Sequence, residues 1–322
     1  MTELASPGLT DVLAARLRIA PYLRPTPLYR YPALDALTGA ALWVKHENHQ
    51  PVGAFKVRGG INLISQLGEA ERARGVVSAS TGNHGQSIAY AASLFGVRAV
   101  ICVPQGANPV KVDSMRALGA EVVFHGRDFD DAREHCEKLA AEHGYRYVHS
   151  ANEPALIAGV ATSTLEILAD QPGTDVIVVP VGGGSGAAGS CIVAKAVRPD
   201  IEVIGVQAEA APAAYQSWRA RALIEGTTTT LAEGLATRTA FELTQSILWE
   251  LLDDFVLVSE DALLDATRLM IEKVRNLVEP AGAAALAAVL ADPERFAGRQ
   301  VAIVCSGGNI SPDQLARLWA GA

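Results

Sequence analysis

Lys56 lies within residues 47–60, ENHQPVGAFKVRGG, beside Phe55 and close to Gly53, Gly59 and Gly60. The glycines let backbone approach a ligand closely, and Phe55 offers a flat apolar neighbour. Burial in such a setting lowers the pKa of an amine and makes it a nucleophile, the property a Schiff base with an aldehyde cofactor requires. The plainer reading of the same residues is a solvated lysine opening a helix at Val57.

Three further turns follow strand-like runs. Gly182-Gly183-Gly184-Ser185-Gly186 follows DVIVVPV and precedes a helix. Backbone N–H groups at a helix start, with no side chains in the way, bind anions such as a cofactor phosphate. The sequence also suits a tight strand–helix turn. It is neither a Walker A loop nor a GxGxxG fingerprint. Ser80-Thr81-Gly82-Asn83-His84 follows VVSAS and opens another helix, whose N-terminus suits a carboxylate. Asn83 and His84 equally suit helix capping, and His84 suits a packed core position. Ser306-Gly307-Gly308-Asn309 follows VAIVC, and Ser306 reads on its own as a turn serine. Glu279, just before Pro280, is a favourable first-turn residue.

Alternating strands and helices must position these turns. Strand-like runs occupy 41–45, 75–80, 99–103, 121–124, 175–181, 203–207, 255–258 and 301–305. Most are near-continuous Val/Ile runs, as in strands covered on both faces. Helical patterns occupy roughly 8–20, 57–67, 83–95, 108–118, 128–143, 153–169, 186–197, 259–277 and 281–291. The alternation predicts an α/β fold with mostly parallel sheets. Arg24-Pro25-Thr26-Pro27 must be extended, since each proline pushes its predecessor out of the helical region.

Composition narrows the function classes. The 322 residues carry 27 basic and 35 acidic side chains, a formal charge of −8, with no basic run, which argues against a nucleic-acid partner. The apolar runs are too short or broken to span a bilayer. The N-terminus carries Glu3 and no basic segment, unlike a signal peptide. Cys102, Cys136, Cys191 and Cys305 form no CxxC pair and suit reduced thiols in a cytoplasm.

The order of Lys56, STGNHGQ, GGGSG and SGGN, with Arg24-Pro25-Thr26-Pro27-Leu28 ahead of it, resembles the pyridoxal-phosphate enzymes of fold type II, the tryptophan synthase β family. Within it the chain is most similar to the threonine and serine dehydratases, serine racemases and related β-hydroxyamino acid dehydratases. The resemblance runs from Arg24 to Asn309. It implies two domains, each a twisted, mostly parallel sheet covered by helices: a small one over 52–146 and a large one over 1–51 and 147–322, with the site between them. It implies pyridoxal 5′-phosphate held on Lys56 beside Phe55, its phosphate on Gly182, Gly183, Gly184, Ser185 and Gly186. Asn83 would contact the phenolic oxygen, Ser306 the ring nitrogen, and Glu279 would lie nearby. Ser80, Thr81, Gly82, Asn83 and His84 would clasp the substrate carboxylate. A neutral hydroxyl at the ring nitrogen would favour elimination over reactions needing a long-lived carbanion. The expected reaction converts a β-hydroxy-α-amino acid to a 2-oxo acid and ammonia. The same likeness implies a homodimer, and with the last residue at Ala322 no regulatory domain like that of the feedback-inhibited threonine dehydratases is expected.

Three positions depart from the family pattern. Thr81 stands where serine racemases carry a catalytic serine, which speaks against racemisation. Glu209 matches the first ligand of a divalent-cation site found in relatives, but AAPAAYQ after it supplies no aspartate. Arg238, within AEGLATRT, is either a substrate-steering residue or a surface one, and this stretch points to phenylserine-like or hydroxyectoine-derived substrates as well as threonine. The alternatives are racemisation, β-replacement, or a catalytically silent amino acid sensor.

Overall fold

The computed structural model describes residues 5–127 and 129–319. Glu3, and Asp128 at the start of the expected helix 128–143, lie outside the described residues. Among the described residues there are ten strands: β1 Leu28–Arg30, β2 Ala41–His46, β3 Val76–Ala79, β4 Ala99–Val103, β5 Glu121–Phe124, β6 Arg146–Tyr147, β7 Val176–Pro180, β8 Glu202–Ala208, β9 Asp254–Val258 and β10 Gln300–Cys305. They form a six-stranded sheet ordered β1-β2-β10-β7-β8-β9 and a four-stranded sheet ordered β5-β4-β3-β6. Every pairing is parallel except β1 with β2. The α/β fold expected from the alternation of strands and helices is therefore the observed one.

The central strands β3, β4 and β7 are buried at every position, which accounts for their unbroken apolar sequences. Alternate residues still serve opposite faces. Val76 and Ile101 join a core that reaches Ile177 and Val179 of the larger sheet. Val77, Val100 and Cys102 face the other way, toward Cys136 on the helix Phe129–His143. A third core lies beneath the helices Glu260–Val274 and Pro280–Ala291. All four cysteines are buried and unpaired.

The strands missed by the sequence reading are β1 and β6, three and two residues long. They are too short to show a period. The missed helices include Pro32–Thr38, Glu69–Arg74, Ala213–Ala220 and Glu242–Leu251. The expected helix 259–277 stops at Val274, because Arg275 takes a left-handed backbone at φ 61° and Asn276 turns inward.

Two features fix the helix that carries Lys56, Lys56–Ile64. It lies against the helix Pro154–Asp170 with backbones touching, so that a Cβ on Gly159 would come within 2.6 Å of the Arg58 carbonyl oxygen. Beneath it lies a buried ionic cluster. Arg58 bonds Glu47 at 2.7 Å and Glu166 at 2.6 Å, and Lys45 bonds Glu166 at 2.6 Å. Two cations and two anions balance there.

Candidate active site

The turns after β2, β3, β7 and β10 converge at the carboxyl ends of their strands, the usual ligand position in parallel α/β sheets. They line a cleft of about 440 Å³ that includes Lys56, residues 80–84, residues 182–186, Glu279 and Ser306. Every site residue expected from the sequence lines this cleft except Glu209 and Arg238. Glu209 is exposed past the end of β8, and Arg238 is exposed with its carbonyl accepting from Gly226. Among the described residues no group of three His, Cys, Asp or Glu could hold a metal.

Lys56 is half-buried, and it begins its helix directly after Phe55. Its Nζ donates to Ser185 Oγ at 2.8 Å and to the Ser150 carbonyl at 3.3 Å. Both partners are neutral. Desolvation therefore pulls the amine down to about 8 from 10.5, favouring the uncharged, nucleophilic form. The ammonium also lies 5.3 Å from the Phe55 ring centroid.

The glycine turn leads into the helix Ser185–Val197. Gly184 has φ 87°, a left-handed backbone that favours glycine. A Cβ on Gly182 would collide with the Gly234 carbonyl, and one on Gly183 would press on Phe241 at 3.1 Å. The close neighbours of Gly182 and Gly183 leave no room for side chains there, and the first N–H groups of the following helix have no intrahelical acceptor.

Asn83 begins the helix Asn83–Leu94. Its Nδ2 donates to Glu279 Oε1 at 2.5 Å, and its Oδ1 accepts from Asn309 Nδ2 at 2.8 Å. Ser80 Oγ accepts from the N–H groups of Gly82 and Gly85 at 3.1 and 2.8 Å, which fixes the turn. The Ser78 hydroxyl donates to the Val148 carbonyl, so it accepts from His84 Nε2 at 2.9 Å. His84 thus carries a proton on Nε2, and burial, which lowers its pKa to about 3, keeps the ring neutral. Its ring is buried and lines the cleft, and Nδ1 has no hydrogen-bond partner among the described residues. Ser306 Oγ makes a long contact, 3.5 Å to the Ala281 carbonyl.

Sequence reasoning missed Lys111, Glu233, Ser150 and Phe241, which also line the cleft. Lys111 Nζ lies 2.6 Å from Glu233 and 3.6 Å from Glu279. Burial opposes its charge, but the two carboxylates prevail and raise its pKa. The Lys111–Glu233 pair closes across 122 residues, and no local pattern marks such a pairing.

The family model described as "Pyridoxal-phosphate dependent enzyme" matches residues 19–307. The chain belongs to this family. Pyridoxal phosphate is thus its cofactor, and the cleft fits one: a desolvated amine with neutral partners stands beside a glycine-lined anion cradle. Among relatives of this pyridoxal-phosphate enzyme, the L-threonine ammonia-lyase of Thermotoga maritima is 40% identical, over 96% of this chain and 77% of its own length. The L-threo-3-hydroxyaspartate ammonia-lyase of Saccharomyces cerevisiae is 35% identical, over 98% of this chain and 97% of its own. The structure of maize serine racemase superposes with a TM-score of 0.93 at 32% identity, covering 97% of both chains. No helix among the described residues is long and apolar enough to cross a membrane.

Proposed function

We propose that this enzyme is an ammonia-lyase that converts a β-hydroxy-α-amino acid to a 2-oxo acid and ammonia by α,β-elimination. It is a pyridoxal-phosphate-dependent carbon–oxygen lyase. The observation that carries the reading is the Lys56 amine, lowered to about 8 and sharing one cleft with the Gly182–Gly186 turn, Asn83 and Ser306. The threonine and hydroxyaspartate ammonia-lyases among its relatives support the same reaction class.

The bound cofactor supplies the electron sink for bond breaking at the substrate Cα. When it is bound, the N–H groups of residues 182–186 would hold its phosphate, Phe55 would pack beside it, Asn83 would donate to its phenolic oxygen, and Ser306 would be the partner for its ring nitrogen. Asn83 is aimed by Glu279. The turn Ser80, Thr81, Gly82, Asn83 and His84 binds the substrate carboxylate through the main-chain N–H groups of Thr81, Asn83 and His84, while those of Ser80 and Gly82, held by the Cys102 carbonyl and the Ser80 hydroxyl, keep the turn in shape. The Lys56 amine, neutral once its proton is lost, would take the substrate α-proton. The β-hydroxyl leaves with a proton as water, and the released enamine hydrolyses to the 2-oxo acid and ammonia. The hydroxyl of Ser306, neutral, does not enforce ring protonation, which favours elimination.

The small unit over 52–146 and the large unit over 1–51 and 147–322 form the two walls of the cleft in this reading. A homodimer in the cytoplasm completes it. Glu209 and Arg238, both outside the cleft, take no part in turnover.

The test is a panel of serine, threonine, 3-phenylserine and 3-hydroxyaspartate given to the holoenzyme, with 2-oxo acid and ammonia assayed together. Equal amounts of both from at least one substrate support the lyase. Inversion at Cα with neither product would replace it with a racemase.

A further inference from the structure

Lys111 belongs to none of the motifs read from the sequence, yet its side chain is only 4% exposed and ends in the cleft. Its stem lies against the turn expected to bind substrate. A Cβ on Gly82 would come 3.2 Å from Lys111 Cδ and 3.4 Å from Nζ. The ammonium therefore stands at the start of the helix Asn83–Leu94, whose first N–H groups have no intrahelical acceptor.

Its two carboxylates are not equivalent. Glu279 is buried, lies 3.6 Å away and is already committed to Asn83. Glu233 lies 2.6 Å away, is 36% exposed, and sits on the short 3-10 helix Glu233–Leu235 in the connection between β8 and β9. Lys111 comes from the helix Pro109–Ala117 between β4 and β5. The pair thus joins one wall of the cleft to the other. Glu233 has a second partner waiting: Gln314 Nε2 is 3.4 Å from its other oxygen.

We propose that Lys111 binds the substrate α-carboxylate and that Glu233 is the counter-ion the substrate displaces. This rests on the amino acid substrate proposed above. The incoming carboxylate, bound on the Ser80–His84 turn, takes the place of Glu233 on Lys111, and Glu233 turns to Gln314 and solvent. The buried ammonium stays paired throughout, so the heavy penalty of an unpaired buried charge never arises. An uncharged analogue gains nothing from the exchange, which makes Lys111 a filter for free amino acids.

The test uses the holoenzyme with L-alanine, which has no β-hydroxyl to eliminate, and with L-alaninamide. Binding is read by calorimetry. Lys111→Gln should weaken L-alanine about tenfold, the loss of one charge-assisted contact, and leave L-alaninamide unchanged. Lys111→Arg should restore most of the affinity. Glu233→Gln, which keeps the size of the side chain, should tighten L-alanine, since the competing charge is gone. On a turnover substrate the same variants should move KM in these directions and spare kcat. The proposal is overturned if Glu233→Gln weakens L-alanine or leaves it unchanged, or if Lys111→Gln affects both ligands equally or neither. Because L-alanine undergoes no elimination, a failed lyase assay leaves this result standing, and the reverse also holds.

Discussion

Asn83 and Glu279, 196 residues apart in the chain, meet at 2.5 Å across the cleft floor. The carboxylate only accepts, so it fixes which end of the Asn83 amide donates. Asn309 holds the other end at 2.8 Å. One Nδ2 hydrogen remains to be offered to the cofactor. Glu279→Ala leaves Asn309 as the one anchor of this amide among the described residues, and pyridoxal phosphate should bind the apoenzyme about tenfold more weakly, as expected for loss of a charge-assisted contact. Absorbance titration of the apoenzyme measures this. An unchanged dissociation constant would mean that Asn83 is oriented without Glu279.

Lys56 has no acidic partner among the described residues, so its replacement leaves no buried carboxylate behind. Lys56→Ala should remove the visible absorbance of the covalently held cofactor. Turnover should fall by about 10²–10⁴-fold or more, the range for a positioned proton-transfer group. Melting of the apo variant should not fall, since a desolvated amine has been removed. Wild-type turnover in this variant would refute the assignment.

The same amine makes a prediction about pH. Only the neutral form captures an aldehyde, and its pKa is lowered to about 8 by desolvation. The rate at which the apoenzyme captures pyridoxal phosphate should rise with pH and reach half its plateau near 8. An ordinary lysine would still be rising near 10. The sign for stability follows: between about 8 and 10.5 the unfolded lysine holds a proton that the folded one has lost, so this group's contribution grows as pH rises through that window. Stopped-flow traces across pH would decide, and a midpoint near 10 would show Lys56 to be solvated.

The glycine turn is constrained by its surroundings as well as by its ligand. A methyl on Gly182 meets a main-chain carbonyl, that of Gly234, which cannot rotate away. Gly182→Ala should cost about 1–3 kcal/mol of stability, typical of overpacking, and should weaken phosphate binding at the same time. Urea unfolding of the apoenzyme separates the two effects. No loss of stability would mean that the loop relaxes freely.

How much of this was legible follows from what each feature depends on. The eight longer strands were readable from their Val/Ile-rich runs, unbroken in β3, β4 and β7 where every position is buried, and the turns because glycine and asparagine mark strand–helix turns locally. Edge strands such as Leu28–Arg30 leave too little pattern. The cleft motifs were readable as isolated pieces. Their meeting was implied only by resemblance, since Lys56, Asn83, Gly182 and Ser306 lie far apart in the chain. Lys111 and Glu233 were invisible because one is an ordinary helix lysine and the other an ordinary turn glutamate until the fold pairs them. Arg238 drew attention through its odd neighbourhood, but its side chain is exposed outside the cleft.

The buried ions beneath the Lys56 helix carry the last prediction. Arg58 and Glu47 are 1% and 0% exposed, and Arg58 holds both Glu47 and Glu166. Arg58→Met would leave Lys45 as the only cation against two carboxylates. Breaking one side of such a cluster typically costs about 3–5 kcal/mol, so the variant should unfold at much lower urea and hold Lys56 less rigidly. Replacing Arg58 and Glu47 together by apolar residues should cost less than Arg58→Met alone. Acid should act through the same cluster. Burial raises the pKa of Glu47, but the charge and hydrogen bonds of Arg58 outweigh it and hold the carboxyl below its ordinary 4.5. Its contribution is therefore complete above about 4.5 and is lost as pH falls through the lower folded value. Urea midpoints measured from pH 7 down to 3 should fall less steeply in the double variant than in the wild type. Equal slopes would show that acid unfolding is governed elsewhere.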